Sequence, residues 1–372
     1  MMQEIWLIVP VLCLVMYIIL DGYDLGVGIL LLGERDRRRR REGVEVVAQT
    51  WDINESWLIL LGVSLWAGFP AVYGAALPHV YIPVIVMLLC LIVRGFATEL
   101  ISHRHDTREA WVRAFSLGSL GAAIAQGFAL AGLTRQITVD SNGDFVGEPG
   151  IWDAASVGMT LLIVIGTVVV YMTLGAAFLR RKVDSPLAVA AGRTLLIGAV
   201  VVLALIVGFL GTTDVPLTWS GAQGILVGVL LLVALVSAVL AWRTLAPDAP
   251  PHSAYRWTAL LVVACLLAVV VGRYPVILAS DLTVAEAGAP DITMIVLLIG
   301  VGINIFLISF YTIFAHRVFS GPLDAGAGND GGFTHNGGLR PDGGSDSDVG
   351  PDSDGGSDSD GGSAADRKAA QS

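Results

Sequence analysis

Nine long apolar runs, each closed by a short polar segment, fill the first 320 positions of this chain. Runs longer than about 18 apolar residues are long enough to cross a bilayer as helices. The pattern predicts nine such helices, near 5–33, 54–77, 80–101, 113–134, 153–180, 192–213, 220–243, 256–279 and 291–315. A helix satisfies its own backbone in lipid, and no stretch shows the strict alternation over about ten residues that a barrel strand needs. The expected fold class is therefore all-α, a polytopic membrane bundle of about nine transmembrane helices.

The polar segments between the runs are of two kinds, and the kinds alternate. After the first, third, fifth, seventh and ninth runs come "ERDRRRRRE", "SHRHDTREAWVR", "RRKVDSPLAVAAGR", "WRTLAPDAPPHSAYR" and "HRVF". The other segments, "LPHV", "TRQITVDSNGDFVGEPGIWD", "TTDVPLTWSG" and "SDLTVAEAGAP", hold one Arg among several acids. Excess Lys and Arg marks cytoplasmic loops. The expected topology has the N-terminus outside and the C-terminus inside, and a missed or surplus crossing would break the alternation.

Composition agrees with this class: 55% hydrophobic and 15% charged residues, with a mean hydropathy of +0.73, describe a membrane protein and leave no basic surface for nucleic acid. "MMQEIW" lacks a positive n-region, so the first run reads as a retained span rather than a signal peptide. Cys13, Cys90 and Cys265 all fall in apolar runs without a metal or disulfide spacing and read as packing residues. Two domains are expected, a transmembrane part over 1–320 and a tail over 321–372. The tail carries ten Asp against Arg340, Arg367 and Lys368, which is −7 of the chain's formal −10. Such a Gly/Ser/Asp-rich acidic segment is expected to be disordered.

Charge inside the apolar runs is rarer and more informative. "DGYDLGVG" places Asp21 and Asp24 in the first run, where a carboxylate costs about 2.5 to 3.5 kcal/mol at mid-span and is normally kept for a partner or a task. Their i, i+3 spacing puts both on one helical face. Gly22 and Gly26 form a GxxxG that admits a close neighbour, expected to bring the counter-charge. Arg94 in "LIVRGFATEL" is the best candidate, because its depth matches that of Asp24. An Asp24–Arg94 pair either registers two helices or serves a proton relay, which leaves Asp21 without an obvious partner.

At the start of the second run, "TWDINESWL" gathers Trp51, Asp52, Asn54 and Glu55. Asp52 and Glu55 have the spacing of a capping box, which would make them structural. Their density at the inner surface equally suits an entrance for protons. Trp51, Trp57 and Trp66 read as interfacial anchors or core packing. His79, His103, His105, His252, His316 and His335 all map to loops, span ends or the tail, so the chain is expected to ligate no haem and no metal by itself. The methionines along the apolar runs read as packing. No phosphate loop or dinucleotide motif appears.

At these segments the sequence resembles subunit II of the cytochrome bd family of quinol oxidases. The resemblance rests on "DGYDLGVG", on "WDINESWL" with a following "GFP", and on "RGFATEL"; "YMTLGAAFLRRKVD" and "RYPVILASDLTVAEAGAP" echo it more weakly. Ile53 stands where the family usually has Gly, and Ser56 replaces a common apolar residue, which points toward a divergent branch that includes cyanide-insensitive relatives. The resemblance implies a multi-pass protein of a prokaryotic cell membrane, paired with a subunit I that carries haem b and haem d, or haem b alone, and the quinol site. It leaves room for membrane lipid and a small accessory subunit as further partners. Subunit II would ligate no haem, act in no chemical step directly, support its partner and contribute a cytoplasmic proton path. Carried over by motif, Asp21, Asp24, Asp52 and Glu55 are the proton-path candidates, and Trp51, Arg94 and Glu99 the structural or field-tuning ones. Two other classes stay open on the residues alone. A secondary transporter would use Asp21 and Asp24 as an ion site but should show an inverted repeat, and a purely structural assembly subunit would use the acids only to fix helix register.

Overall fold

The computed structural model describes residues 2–102, 109–134, 154–183, 185–210, 221–249, 253–277 and 282–318. The tail with its expected disorder, and the loops holding His103, His105 and His252, lie outside the described residues. Eleven helices follow one another: α1 (Met2–Leu31), α2 (Arg37–Ala48), α3 (Trp51–Gly68), α4 (Pro70–Ser102), α5 (Glu109–Leu133), α6 (Ala154–Lys182), α7 (Pro186–Leu210), α8 (Gly221–Thr244), α9 (Ala254–Arg273), α10 (Val284–Ala287) and α11 (Asp291–Val318). Among the described residues, eight of them are long and apolar enough to cross a membrane. The ninth long helix, α3, has 18 residues and misses that standard because Asp52, Asn54 and Glu55 crowd its first turns. Among the described residues there is no strand, only helices joined by turns and one isolated β-bridge, Val276 to Thr283.

Several boundaries differ from the sequence expectation, α7 starting at Pro186 rather than near 192 and α9 ending at Arg273 rather than near 279, and two of the differences have a local cause. The second and third spans were expected to part at "LPHV"; the chain instead breaks at Phe69, whose φ of −129° and ψ of 65° are not helical. Phe69 precedes Pro70, and a proline clashes with a helical residue before it while fitting well as the first residue of the next helix. Pro78 and Pro83 are then carried inside the 33-residue α4. His79 consequently lies buried within a helix rather than in a loop. The basic segment after α1 is not an open loop either. Asp36 accepts a hydrogen bond from the Arg38 amide and starts α2, which turns Val44, Val46 and Val47 inward.

The core forms around α1, which packs against α3, α5 and α6 and touches α2, α9, α10 and α11. Gly26 explains how α6 comes so close: a Cβ there would overlap the Tyr171 carbonyl, and one on Gly175 would overlap Gly26 in return. The GxxxG of α1 therefore admits α6, not the helix that carries the counter-charge. α3 runs antiparallel to α1, since Trp6 donates to the Ser64 carbonyl at 3.1 Å while Asn54 meets Asp24 at the other end. α4 returns parallel to α1. Where α4 passes α5, a Cβ on Gly118 would lie 2.9 Å from the Cys90 carbonyl and 3.2 Å from the Arg94 amide, so this glycine lets the backbone carrying Arg94 press inward. α10 closes the opposite end of the bundle from α2. The Ala289 amide bonds the Gly68 carbonyl at 2.9 Å, and Gln3 bonds Asp291. Cys13, Cys90 and Cys265 are free thiols.

Candidate functional site

Three helices meet on one guanidinium. Arg94 of α4 is 1% exposed, and its Nη2 donates at 2.7 Å to Asp21 Oδ1 of α1 and at 2.7 Å to Glu55 Oε1 of α3. Asp21 is fully buried, whereas the Glu55 side chain keeps 23% of its surface exposed. The expected Asp24–Arg94 pair is thus replaced by a Glu55–Arg94–Asp21 bridge. Matching the depths of Cα atoms misled, because side chains in a helix lean toward its N-terminus. Arg94 reaches about one turn N-terminally along the parallel α1, and that turn separates Asp24 from Asp21.

Asp24, also fully buried, takes a different partner. Asn54 Nδ2 donates to Asp24 Oδ2 at 2.8 Å and lies 2.9 Å from the Tyr23 hydroxyl. That hydroxyl in turn sits 3.0 Å from Thr50 Oγ1 and 3.3 Å from His316 Nε2. Tyr23 is held in place by stacking on Phe178, with ring centres 3.9 Å apart. Beside it opens a cavity of about 40 Å³ bordered by Gln49, Thr50, Lys182 and His316, polar enough and large enough for a water molecule.

A third branch leaves Asp21 along α1. Tyr17, one helical turn earlier, faces Asp21. Gln126 of α5 donates to the Tyr17 hydroxyl at 2.7 Å and accepts from the Tyr171 hydroxyl at 2.6 Å. Gln126, Tyr17 and Tyr171 were not singled out in the sequence. The signal was there in part, since Tyr17 stands four residues before Asp21 on the same helical face, and Gln126 is an isolated amide in an apolar run.

The remaining candidates lie at the margin. Asp52 is exposed and acts on Glu55 through space. It caps nothing: Thr50 precedes the helix, makes no side-chain cap bond, and Glu55 has turned inward to Arg94, so the capping-box reading fails. Trp51 packs against Gly95, where a Cβ would come within 2.9 Å of its ring, and so braces α3 against α4 beside Arg94. Ile53 is buried in an unbroken helix. Glu99 lies on the exposed face of α4, away from the bridge. Trp57 is core, while Trp66 is 63% exposed.

Among the described residues, no group of three His, Cys, Asp or Glu side chains is arranged to hold a metal ion. His316 does not present a free imidazole, because Nδ1 lies 2.9 Å from the Thr312 carbonyl and Nε2 faces Tyr23. His79, although inside α4, has a contact partner of its own.

One guanidinium and three carboxyl groups, two of them bonded to it, come together within a helical bundle. A fold of long apolar helices around this cluster defines a polytopic membrane protein. The family profile described as "Cytochrome bd terminal oxidase subunit II" matches residues 2–319, and the chain belongs to that family. It is a multi-pass protein of the prokaryotic cell membrane. It is 35% identical over 136 residues to the cytochrome bd-I ubiquinol oxidase subunit 2 of Escherichia coli (strain K12), covering 36% of this chain and 35% of that one. It is 29% identical over 147 residues to the cytochrome bd ubiquinol oxidase subunit 2 of Bacillus subtilis (strain 168), covering 38% of this chain and 43% of that one. The aligned segments thus span well under half of the relatives' length. Its fold is similar to that of a chain in the bd oxidase structure from Geobacillus thermodenitrificans, with a TM-score of 0.70 and 16% identity over 86% of this chain and 98% of that chain.

Proposed function

We propose that this chain is the subunit of a cytochrome bd-type quinol oxidase that ligates no haem itself, and that its buried cluster conducts protons inward from the cytoplasmic face. The haem-bearing partner, subunit I, supplies electron transfer and the reduction of oxygen at its haems b and d, or b alone. Reducing one oxygen molecule to two waters consumes four electrons and four protons, and electrons placed in a low-dielectric interior favour compensating proton uptake. The observation that carries this reading is the Glu55–Arg94–Asp21 bridge, with Glu55 partly exposed and Asp21 fully buried.

The excess of Arg beside α2 and at the end of α11 supports a cytoplasmic location for the end of the bundle at which Asp52 stands. A proton taken up from water near Asp52 protonates Glu55. Arg94, no longer shared equally, then favours the Asp21 carboxylate. Transfer onward from Glu55 to Asp21 re-ionises Glu55, which the guanidinium then favours, and the bridge re-forms once Asp21 has passed the proton on. Asp24 adds a second acceptor beside Asp21, with Oδ1 free of protein partners.

The bridge also supports the scaffold reading, because one cation tied to two helices besides its own fixes their register. Asp21→Asn and Glu55→Gln separate the two, since each keeps size and polarity but removes proton exchange. With the complex assembled at normal haem content, quinol-dependent oxygen uptake should fall by about tenfold or more. Wild-type turnover in both variants would leave the subunit as a scaffold.

A further inference from the structure

On the far side of the bundle from the buried acids, α7 and α8 touch only sparsely, and the gap between them is an open groove of about 270 Å³. Its walls are wholly apolar: Ile197, Val200 and Val201 on α7, Ala238, Val239 and Trp242 on α8. Apolar walls alone say only that hydrocarbon lies there. What distinguishes this groove is its basic end.

Arg193 of α7 lies over the Trp242 ring, its Cζ 4.7 Å from the ring centre, and its Nε donates to the Trp242 carbonyl at 3.2 Å. Arg180 at the end of α6 donates through Nη2 to the carbonyls of Ala246 and Ala249, at 2.8 and 3.2 Å. The two guanidiniums are close enough to repel one another. Bonding the Trp242 carbonyl in the last turn of α8 and the Ala246 and Ala249 carbonyls just beyond it accounts for one nitrogen of each arginine. Among the described residues it leaves Arg180 Nη1 buried without a partner, and Arg193 bonds through Nε alone. Among the described residues, neither arginine has an acidic partner. Two neighbouring cations with spare donors at the mouth of a hydrocarbon slot are complementary to an anionic headgroup joined to an acyl chain.

We propose that the α7–α8 groove is a binding site for an anionic glycerophospholipid, with one acyl chain against Trp242 and the phosphate on Arg193 and Arg180. The basic segments at this end place it in the cytoplasmic leaflet, where anionic lipid is available. The site is independent of the proton path and stands or falls separately from it.

Trp242, 40% exposed and in the groove wall, is its own reporter. The full-length chain, purified with any subunit that stays bound, is reconstituted in phosphatidylcholine containing graded amounts of phosphatidylglycerol with brominated acyl chains. Bromine quenches an indole on contact, and subtracting the signal of Trp242→Phe isolates this tryptophan from the others. The control carries the bromine on phosphatidylcholine instead. Brominated phosphatidylglycerol should quench Trp242 at about one-fifth the mole fraction that phosphatidylcholine requires, or less. Arg193→Gln should move that ratio toward one, and Arg193→Lys should keep part of the preference. Equal quenching by the two lipids in the wild type, quenching by neither, or a preference that survives Arg180→Gln combined with Arg193→Gln would each overturn the assignment.

Discussion

The two aspartates of α1 are three residues apart and equally buried, yet the protein treats them differently. Asp21 faces a permanent cation that also holds a half-exposed glutamate; Asp24 faces a neutral amide that leads to Tyr23, Thr50 and His316. The first arm sets two carboxyl groups, which can exchange protons, on either side of a cation that holds its own, and it reaches the surface at Glu55. The second passes through Asn54, whose amide donates to both neighbours and does not hand protons on. A continuous chain of hydrogen bonds is therefore not by itself a proton path; the chemistry of each link decides. On this view the Asp21 arm conducts, and the Asp24 arm orients a carboxyl that serves as a terminal acceptor.

The largest expected effect comes from removing the cation. Arg94→Met leaves Asp21 buried without its partner, at a cost of about 3–5 kcal/mol, and assembled complex should nearly vanish from membranes. Adding Asp21→Asn should restore part of the yield, because the uncompensated charge is then gone. Yield is read from purified complex per membrane protein. No recovery in the double variant would show that Arg94 acts through something other than charge pairing.

Breaking the other arm should cost less. Asn54→Leu removes the donor to Asp24 and should destabilise the complex by about 1.5–3 kcal/mol, read as a lower midpoint in thermal unfolding. Turnover of the surviving complex should fall far less than in Glu55→Gln. A turnover loss equal to that of Glu55→Gln would make Asn54 part of the conducting route and erase the distinction between the arms.

His316→Phe tests the far end of the Asp24 arm. Tyr23 keeps Thr50, Asn54 and its stack on Phe178, so the expected cost is about 1 kcal/mol or less with an unchanged haem spectrum. Loss of a haem signal would contradict the reading that this imidazole is a hydrogen-bonding residue.

The smallest effect lies at the opposite end of the bundle and serves as a control. Thr283 and Glu286 form a capping box on α10, and the bonds from the Thr283 side chain and backbone hold the exposed Glu286 carboxyl below its usual range. A depressed folded-state value means the contribution is fully present above the unfolded value of about 4.3 and is lost as pH falls through the folded one. Glu286→Gln should thus lower the unfolding midpoint slightly at neutral pH and flatten its slight acid sensitivity below about pH 4.

Much of this arrangement was legible in the sequence, for identifiable reasons. An acid or an arginine in an apolar run is costly enough to stand out, so Asp21, Asp24, Glu55 and Arg94 were all marked. Which of them pair was not legible, because Cα depth ignores the N-terminal lean of helical side chains and assigned Arg94 to Asp24. The break at Phe69 was masked by a second proline motif at Pro78, and hydropathy cannot rank the two. α2 was missed because a run of arginines reads as loop until Asp36 and the buried valines are seen together. Gln126 and Tyr171 entered only through packing, since hydroxyls and amides on distant helices carry no mark of their eventual partners.

Proton uptake during a single turnover tests the conducting role of the Asp21 arm most directly. The fully reduced complex carrying Glu55→Gln, with wild-type haem content, is mixed with oxygen, and a pH-indicating dye in the medium follows proton disappearance. Uptake should slow by about tenfold or more relative to the wild type, while Asn54→Leu takes up protons at close to the wild-type rate. Uptake at the wild-type rate in Glu55→Gln would contradict a path from Glu55 to Asp21 past Arg94.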